Sequence, residues 1–466
     1  MLFSSPTFFV FFACYFILHC SLPRRFRTYL IIAGSTVFYA WWKIDYVWIP
    51  FVLSAVAYAG VSLMERTSTP AWRRRWTIMT IVALFLPLLC FKYADFFYRN
   101  IVGVFFARDG KLLDLPLPLG VSFVTFTLTA YIVDIYRRKF PSGHKGSTLL
   151  AYVLFFPHLI AGPILRPVEL IPQLDHPRRS TVRRIGVPLA IFTMGLVKKL
   201  VFADQIAESV DAVFNSGAGT VSGPSALLAI YGFSVQIYCD FSGYTDMAIG
   251  IAMLLGVRLP NNFRSPYAAN SLIDFWRRWH ITLSLWLRDY LYIPLGGSRR
   301  GKLREGINIF VTMALGGLWH GANWTFVAWG MLHGVGISFL HLVTRVLKLR
   351  FIEKLPNWTC VVMTFHFVTF AWIFFRAPTL SKAAEIFAAP FTGGWENLSG
   401  FAAGNIFAIV LVVLLLTVHR FDDHRRIKAM VRCLRAEILW PLLALLWALA
   451  IAVSQGSSAK FIYFDF

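Results

Sequence analysis

Ile307-Asn308-Ile309-Phe310-Val311-Thr312-Met313-Ala314-Leu315-Gly316-Gly317-Leu318-Trp319 runs without a charge into His320, and Gly321-Ala322-Asn323-Trp324 then opens a second apolar run. As a helix, the first run rises about 20 Å, short of the ~30 Å hydrocarbon core of a bilayer. His320 is therefore expected inside the membrane, with access needed from both faces. An ionisable side chain at that depth costs free energy, and the flanking glycines let other atoms approach its backbone, so His320 is a functional candidate by default. Low dielectric disfavours the charged imidazolium, which leaves a ring able to accept a proton. General-base help of that kind is worth ~10² to 10⁴ in rate.

The rest of the chain has the composition of a polytopic, all-α membrane protein. Of its 466 residues 57% are hydrophobic, 17% aromatic and only 15% charged. A soluble domain cannot hide that much apolar surface, and apolar stretches of spanning length recur throughout. The net charge of +22 raises the question of nucleic acid. The basic residues, however, fall in short clusters between apolar runs, where the positive-inside rule accounts for them, and no nucleic-acid partner is expected. The six cysteines are scattered without metal-ligand spacing, so neither a metal site nor a disulfide framework is expected.

Each basic cluster is expected on the cytoplasmic side: Arg24 to Arg27, Arg66 to Arg75, Arg137 to Lys139, Arg178 to Arg184, Arg258, Arg299 to Arg304, Arg345 to Arg350 and Arg420 to Arg435. Apolar runs near 7–22, 29–42, 46–63, 77–97, 117–136, 185–203, 224–257, 306–319, 322–344, 357–375, 404–419 and 437–454 connect them, about twelve crossings in all. Both termini then lie outside. The N-terminus lacks a basic leader and reads as a first helix rather than a cleaved signal. Two stretches, about 148–174 and 270–298, start and end at cytoplasmic clusters and so must enter and return. The first contains Phe156-Pro157-His158-Leu159-Ile160-Ala161-Gly162-Pro163, whose prolines free backbone groups that only a protein-lined or wet cavity can satisfy. His158 is a candidate lining residue there.

In the second, Asn270-Ser271 followed by Asp274 reads as a helix start. Continued on a 3.6-residue period, Trp276, His280, Leu283 and Leu287 share one face while Arg277, Ser284 and Arg288 share the next. The basic turn Leu295-Gly296-Gly297-Ser298-Arg299-Arg300 follows, and it reads equally as a phosphate cradle or a topology anchor. A polar island, Tyr238-Cys239-Asp240-Phe241-Ser242-Gly243-Tyr244-Thr245-Asp246, interrupts the run 224–257. Its two carboxylates need partners at membrane depth, for which Arg258, Arg264 and Arg277 are the candidates, either as a structural lock or in a direct role.

Together the stretches Pro118 to Phe123, Phe156 to Pro163, Tyr238 to Gly250, Asn262 to Tyr267, Phe275 to Gly297 and Gly316 to Asn323 resemble the membrane-bound O-acyltransferase family, and within it the bacterial branch that acetylates exopolysaccharides of the alginate type. The similarity covers roughly Pro116 to Arg376, and the tail Phe461-Ile462-Tyr463-Phe464-Asp465-Phe466 is also similar to that branch, with Asp465 where Gln is expected. The resemblance implies a single integral-membrane domain over 1–466: N-terminal helices in 1–115, a family core with a central funnel in 116–376, and C-terminal helices with a periplasmic tail in 377–466. It implies His320 as the catalytic residue, as general base or acyl relay, and His280 as a second histidine of the same funnel. The donor it implies is acetyl-CoA, a substrate rather than a resident cofactor. The acceptor side faces the periplasm from an inner membrane, where partner acetyltransferases complete transfer to the polysaccharide. Arg277, Arg278, Arg299, Arg300 and Lys302 lie on the expected donor side and can attract coenzyme A phosphates.

Other assignments remain open at this point. His333, in Trp329-Gly330-Met331-Leu332-His333-Gly334, reads as a packing residue or cavity wall. His19, His144, His176, His341, His366, His419 and His424 have no neighbours that single them out. The acyl group or acceptor can differ, as with D-alanyl teichoic acid, cellulose, peptidoglycan or a lipid. A non-catalytic conduit of a secretion complex is the remaining alternative, and it alone needs no histidine at mid-membrane.

Overall fold

The computed structural model describes residues 1–103, 112–113, 115–176, 185–347, 355–454 and 461–462. The described residues are mainly helical, with no strand among them, as expected where backbone groups have no water to bond. The basic clusters 178–184 and 348–350 and the tail residues 463–466, with Asp465, lie outside the described residues. Six helical stretches are long and apolar enough to cross a bilayer: Ile44–Arg66, Pro70–Val102, Gly186–Phe214, Trp324–Thr344, Asn357–Arg376 and Ala436–Ser454. A seventh is Leu398–Gly404 with Ile406–Phe421 if this pair, bent by 76°, counts as one span. The apolar runs of the sequence do fall on helices. Two of them, Pro6–Ser21 and Val121–Tyr136, are shorter than a span, and the helix carrying His320 opens on Lys302, Arg304 and Glu305. The described helices thus include about half of the twelve crossings expected.

The chain forms two compact units. Unit 1 comprises residues 1–192 and 247–260. Its principal helices are α1 (Pro6–Ser21), α2 (Arg27–Ala40), α3 (Trp48–Arg66), α4 (Pro70–Leu88), α5 (Val121–Tyr136), α6 (Gly146–Leu154) and α7 (Pro167–Asp175). Phe8, Phe38 and Phe156 pack ring to ring in its core, with Phe38 and Phe156 centroids 5.3 Å apart. The stretch 148–174 is broken into α6, a single helical turn Phe156–Leu159 and α7, with Pro157 and Pro167 in the first turns of the second and third pieces. His158 is tied into this break, its Nε2 bonding the Tyr152 carbonyl at 2.8 Å and its ring buried.

Unit 2 comprises residues 193–246 and 261–466. After α8 (Gly186–Val197), its helices are α9 (Asp204–Phe214), α10 (Gly223–Leu254, up to Asp246), α11 (Leu272–Trp276), α12 (Ile281–Leu287), α13 (Lys302–His320), α14 (Trp324–His341), α15 (Asn357–Arg376), α16 (Leu380–Thr392), α17 (Ile406–Val418), α18 (His424–Cys433) and α19 (Ala436–Ser454). Helices α13 and α14 form a close antiparallel pair. A Cβ on Gly317 would sit 2.2 Å from the Phe326 carbonyl oxygen, and one on Gly330 2.3 Å from that of Met313, so only glycine permits this approach.

Two expectations need correction in unit 2. The first is the single helix through 276–288. The chain breaks instead at His280, whose φ of +42° is left-handed, so α11 and α12 are separate and Trp276 and His280 do not share a helical face. The expected helix start is present, with Ser271 Oγ accepting from the Asp274 N–H at 3.2 Å.

The second concerns the partners of Asp240 and Asp246. Arg258, Arg264 and Arg277 are all exposed, and the counter-charges are two buried lysines at the end of α8. Lys198 Nζ lies 2.7 Å from Asp246 and 2.6 Å from Asp422, while Lys199 Nζ lies 2.7 Å from Asp204 and 2.8 Å from Asp240. His424 Nε2 meets Asp246 at 2.6 Å, and the Tyr238 hydroxyl donates to Asp422. A buried carboxylate is tolerable only beside an equally buried cation, and an arginine that can remain in water does not supply one.

Candidate functional site

His320 is the last residue of α13 and His280 caps the start of α12. Their ring centroids lie 6.4 Å apart in unit 2. The α13–α14 pair sets the first position, since the glycine contacts hold the end of α13 against the start of α14. The left-handed turn at position 280 sets the second. A histidine in that conformation costs of order 1–3 kcal/mol and persists only where its surroundings dictate it, a pattern typical of functional sites.

Asn262 holds the His280 ring. One atom, Asn262 Oδ1, takes Thr282 N–H at 3.2 Å, Thr282 Oγ1 at 2.9 Å and His280 Nδ1 at 3.3 Å. A backbone N–H can only donate, so that atom is the amide oxygen and His280 Nδ1 must carry the proton toward it. Nε2 is then the lone-pair nitrogen. It is buried and has no hydrogen-bond partner among the described residues.

Aromatic rings surround His320: Trp319 at 4.9 Å, Trp329 at 5.2 Å with the planes at 90°, and Phe375 at 5.2 Å. Trp329 stacks on Trp372 at 5.4 Å, and Trp372 leads on to Trp279 at 4.9 Å. The His320 residue retains 4% exposure, against none for His280 and His333. The lining is aromatic because the neighbouring helices α14 and α15 present tryptophan and phenylalanine at this level. Such an enclosure keeps bulk water away from a reactive group and strengthens every polar interaction inside it.

His333 is buried and accepts from Trp276 Nε1 at 3.3 Å, in keeping with a packing role. The expected cations are exposed or partly exposed. Arg277 and Arg278 follow α11, the first exposed and the second held by Asp274 at 2.8 Å. Arg299 and Arg300 are exposed in the glycine turn, and Lys302 begins α13. Lys302 and His320 thus stand at opposite ends of a nineteen-residue helix, about 27 Å apart.

Several residues in and around the site carried no assignment from sequence. Lys198 and Lys199 sit inside an apolar run, and the argument that demanded partners for the aspartates applied equally to them. Asn262 and His424 gave no such local signal, since their partners are 18 and 178 positions away.

A model of the membrane-bound O-acyltransferase family matches residues 137–378. The probable alginate O-acetylase of Pseudomonas aeruginosa is 37% identical over 90% of this chain and 82% of its own length. The peptidoglycan O-acetyltransferase of Helicobacter pylori is 37% identical over 83% of this chain and 79% of its own. More distantly, the teichoic acid D-alanyltransferase of Bacillus subtilis is 26% identical over 61% and 78% respectively.

Proposed function

The chain belongs to the membrane-bound O-acyltransferase family, and from that premise we propose that it moves acetyl groups from cytoplasmic acetyl-CoA to a polysaccharide outside the inner membrane, with His320 as its general base. The observation that carries this reading is the pairing of His320 with His280 inside the aromatic enclosure of unit 2. A ring nitrogen of His320 takes the proton of the acceptor hydroxyl as that oxygen attacks the thioester carbonyl. The C–S bond then breaks and the proton passes to the departing coenzyme A thiolate. His280 Nε2, with Nδ1 committed to Asn262, is a second acceptor of a proton or hydrogen bond beside it. Arg277, Arg278, Arg299, Arg300 and Lys302 hold the donor's phosphates away from the reacting centre. About twelve crossings in the inner membrane, both termini in the periplasm and a periplasmic acetyltransferase partner complete the proposal.

Its test is acetyl transfer by the full chain in proteoliposomes, read as acetyl-CoA consumption and acetyl ester formed on an alginate acceptor with the periplasmic partner added. His320→Ala should abolish both while melting at the wild-type temperature. Full transfer by that variant would overturn the reading. The relatedness to peptidoglycan and teichoic acid enzymes favours a second reading with another acceptor or acyl group. Labelled acetyl and D-alanyl donors, offered in competition, separate the two.

A further inference from the structure

Unit 1 carries a groove of about 960 Å³ lined by none of the residues assigned to the transfer reaction. Three segments distant in sequence converge on it. Arg24 and Arg25 come from the link between α1 and α2, His144 and Lys145 from the entry to α6, and His176 from the end of α7. Asp175 is the carboxylate in the lining, and it is already engaged by His144 Nδ1 and Thr148 Oγ1, each at 3.1 Å. Arg24 and Lys145 have no anionic partner among the described residues, and Arg25 stacks on Phe26 at 4.9 Å. The N-terminus of α6 opens beside Lys145 with no side-chain cap, adding the positive end of a helix dipole to the same wall. Thr28 and Leu174 line both this groove and a small adjoining cavity that contains the buried Arg27.

Topology alone explains why these residues are basic, but not why they meet in one concavity around an occupied carboxylate. We propose that this groove binds a phosphate ester. Its rim points to a lipid headgroup as the source, because Tyr29, an amphipathic aromatic of the kind found at headgroup level, is 61% exposed, with the apolar ring of Phe26 exposed beside it.

The test is a titration of the purified full chain in neutral detergent with dioctanoyl phosphatidylglycerol, dioctanoyl phosphatidylcholine and inorganic phosphate, read by calorimetry. Saturable binding of the phosphatidylglycerol is expected, weakened about thirtyfold in Arg24→Gln/Lys145→Gln if each cation contributes as it does at a charged membrane surface. Arg425→Gln/Arg426→Gln, exposed arginines on α18, should leave it unchanged. Binding that inorganic phosphate displaces supports the phosphate site and assigns it to a soluble ester. Binding that phosphate does not displace supports the site and assigns it to the lipid. Equal binding of phosphatidylcholine, or binding the Arg24/Lys145 variant retains in full while melting normally, would overturn the proposal.

Discussion

At the scale of the residue, His320 and His280 differ in how they are held. His320 is fixed by packing between rings, and His280 by a left-handed backbone and one amide oxygen. Removing that oxygen frees the His280 ring to turn and to exchange its protonated nitrogen. Asn262→Ala is therefore expected to lower kcat by about five- to thirtyfold, the worth of one to two kcal/mol of lost hydrogen bonding, with the donor KM little changed. Steady-state transfer assays check this, and an unchanged kcat would deny Asn262 a positioning role. His280→Gly separates ring from backbone, since glycine adopts the left-handed turn without strain and removes only the imidazole. A folded, inactive variant is the expected result, whereas a folded variant of wild-type rate would show that the ring is dispensable.

At the scale of the element, the site depends on how closely α13 approaches α14. Gly317→Val places a branched side chain where the Phe326 carbonyl oxygen lies 2.2 Å from the Cβ position, so the helices must part or the end of α13 must unwind. Loss of activity is expected together with a loss of stability of about 1–3 kcal/mol, seen as a lower melting temperature in detergent. Gly404, beside which a Cβ meets no atom within 4 Å, should tolerate alanine and serves as the control. The helices themselves were legible in the chain, because a hydrophobic run of this length has few alternatives. The break at His280 was not. The pattern of buried and exposed residues through 276–288 looked like one continuous face, and Trp276, His280, Leu283 and Leu287 are indeed all buried. Two short helices reached the same burial by a different path, so periodicity had no means of distinguishing them.

At the scale of the whole molecule, buried ion pairs tie α10 to residues far along the chain. Asp246 meets Lys198 and His424, Asp422 meets Lys198 and Tyr238, and Asp240 meets Lys199 and the Ile462 N–H at 2.7 Å. Lys198→Met strands two carboxylates in a buried site and is expected to cost about 3–5 kcal/mol, with failure to insert or a steep fall in melting temperature. Lys198→Met/Asp246→Asn, which removes charge from both sides of one pair, should recover part of that loss. Stability of the double variant no better than the single would show that the pair is not coupled.

Composition and the length of the apolar runs were enough to determine a helical membrane protein, and the ordered motifs its family, because both are properties of the local chain: hydrocarbon demands satisfied backbones, and each motif is a short run of neighbouring residues. The choice of lysine over arginine as the aspartates' partner, the amide that orients His280 and the ring cage around His320 were decided only by the tertiary structure. Each depends on which distant side chains share a buried space, and burial is a property of the packed molecule rather than of any segment within it.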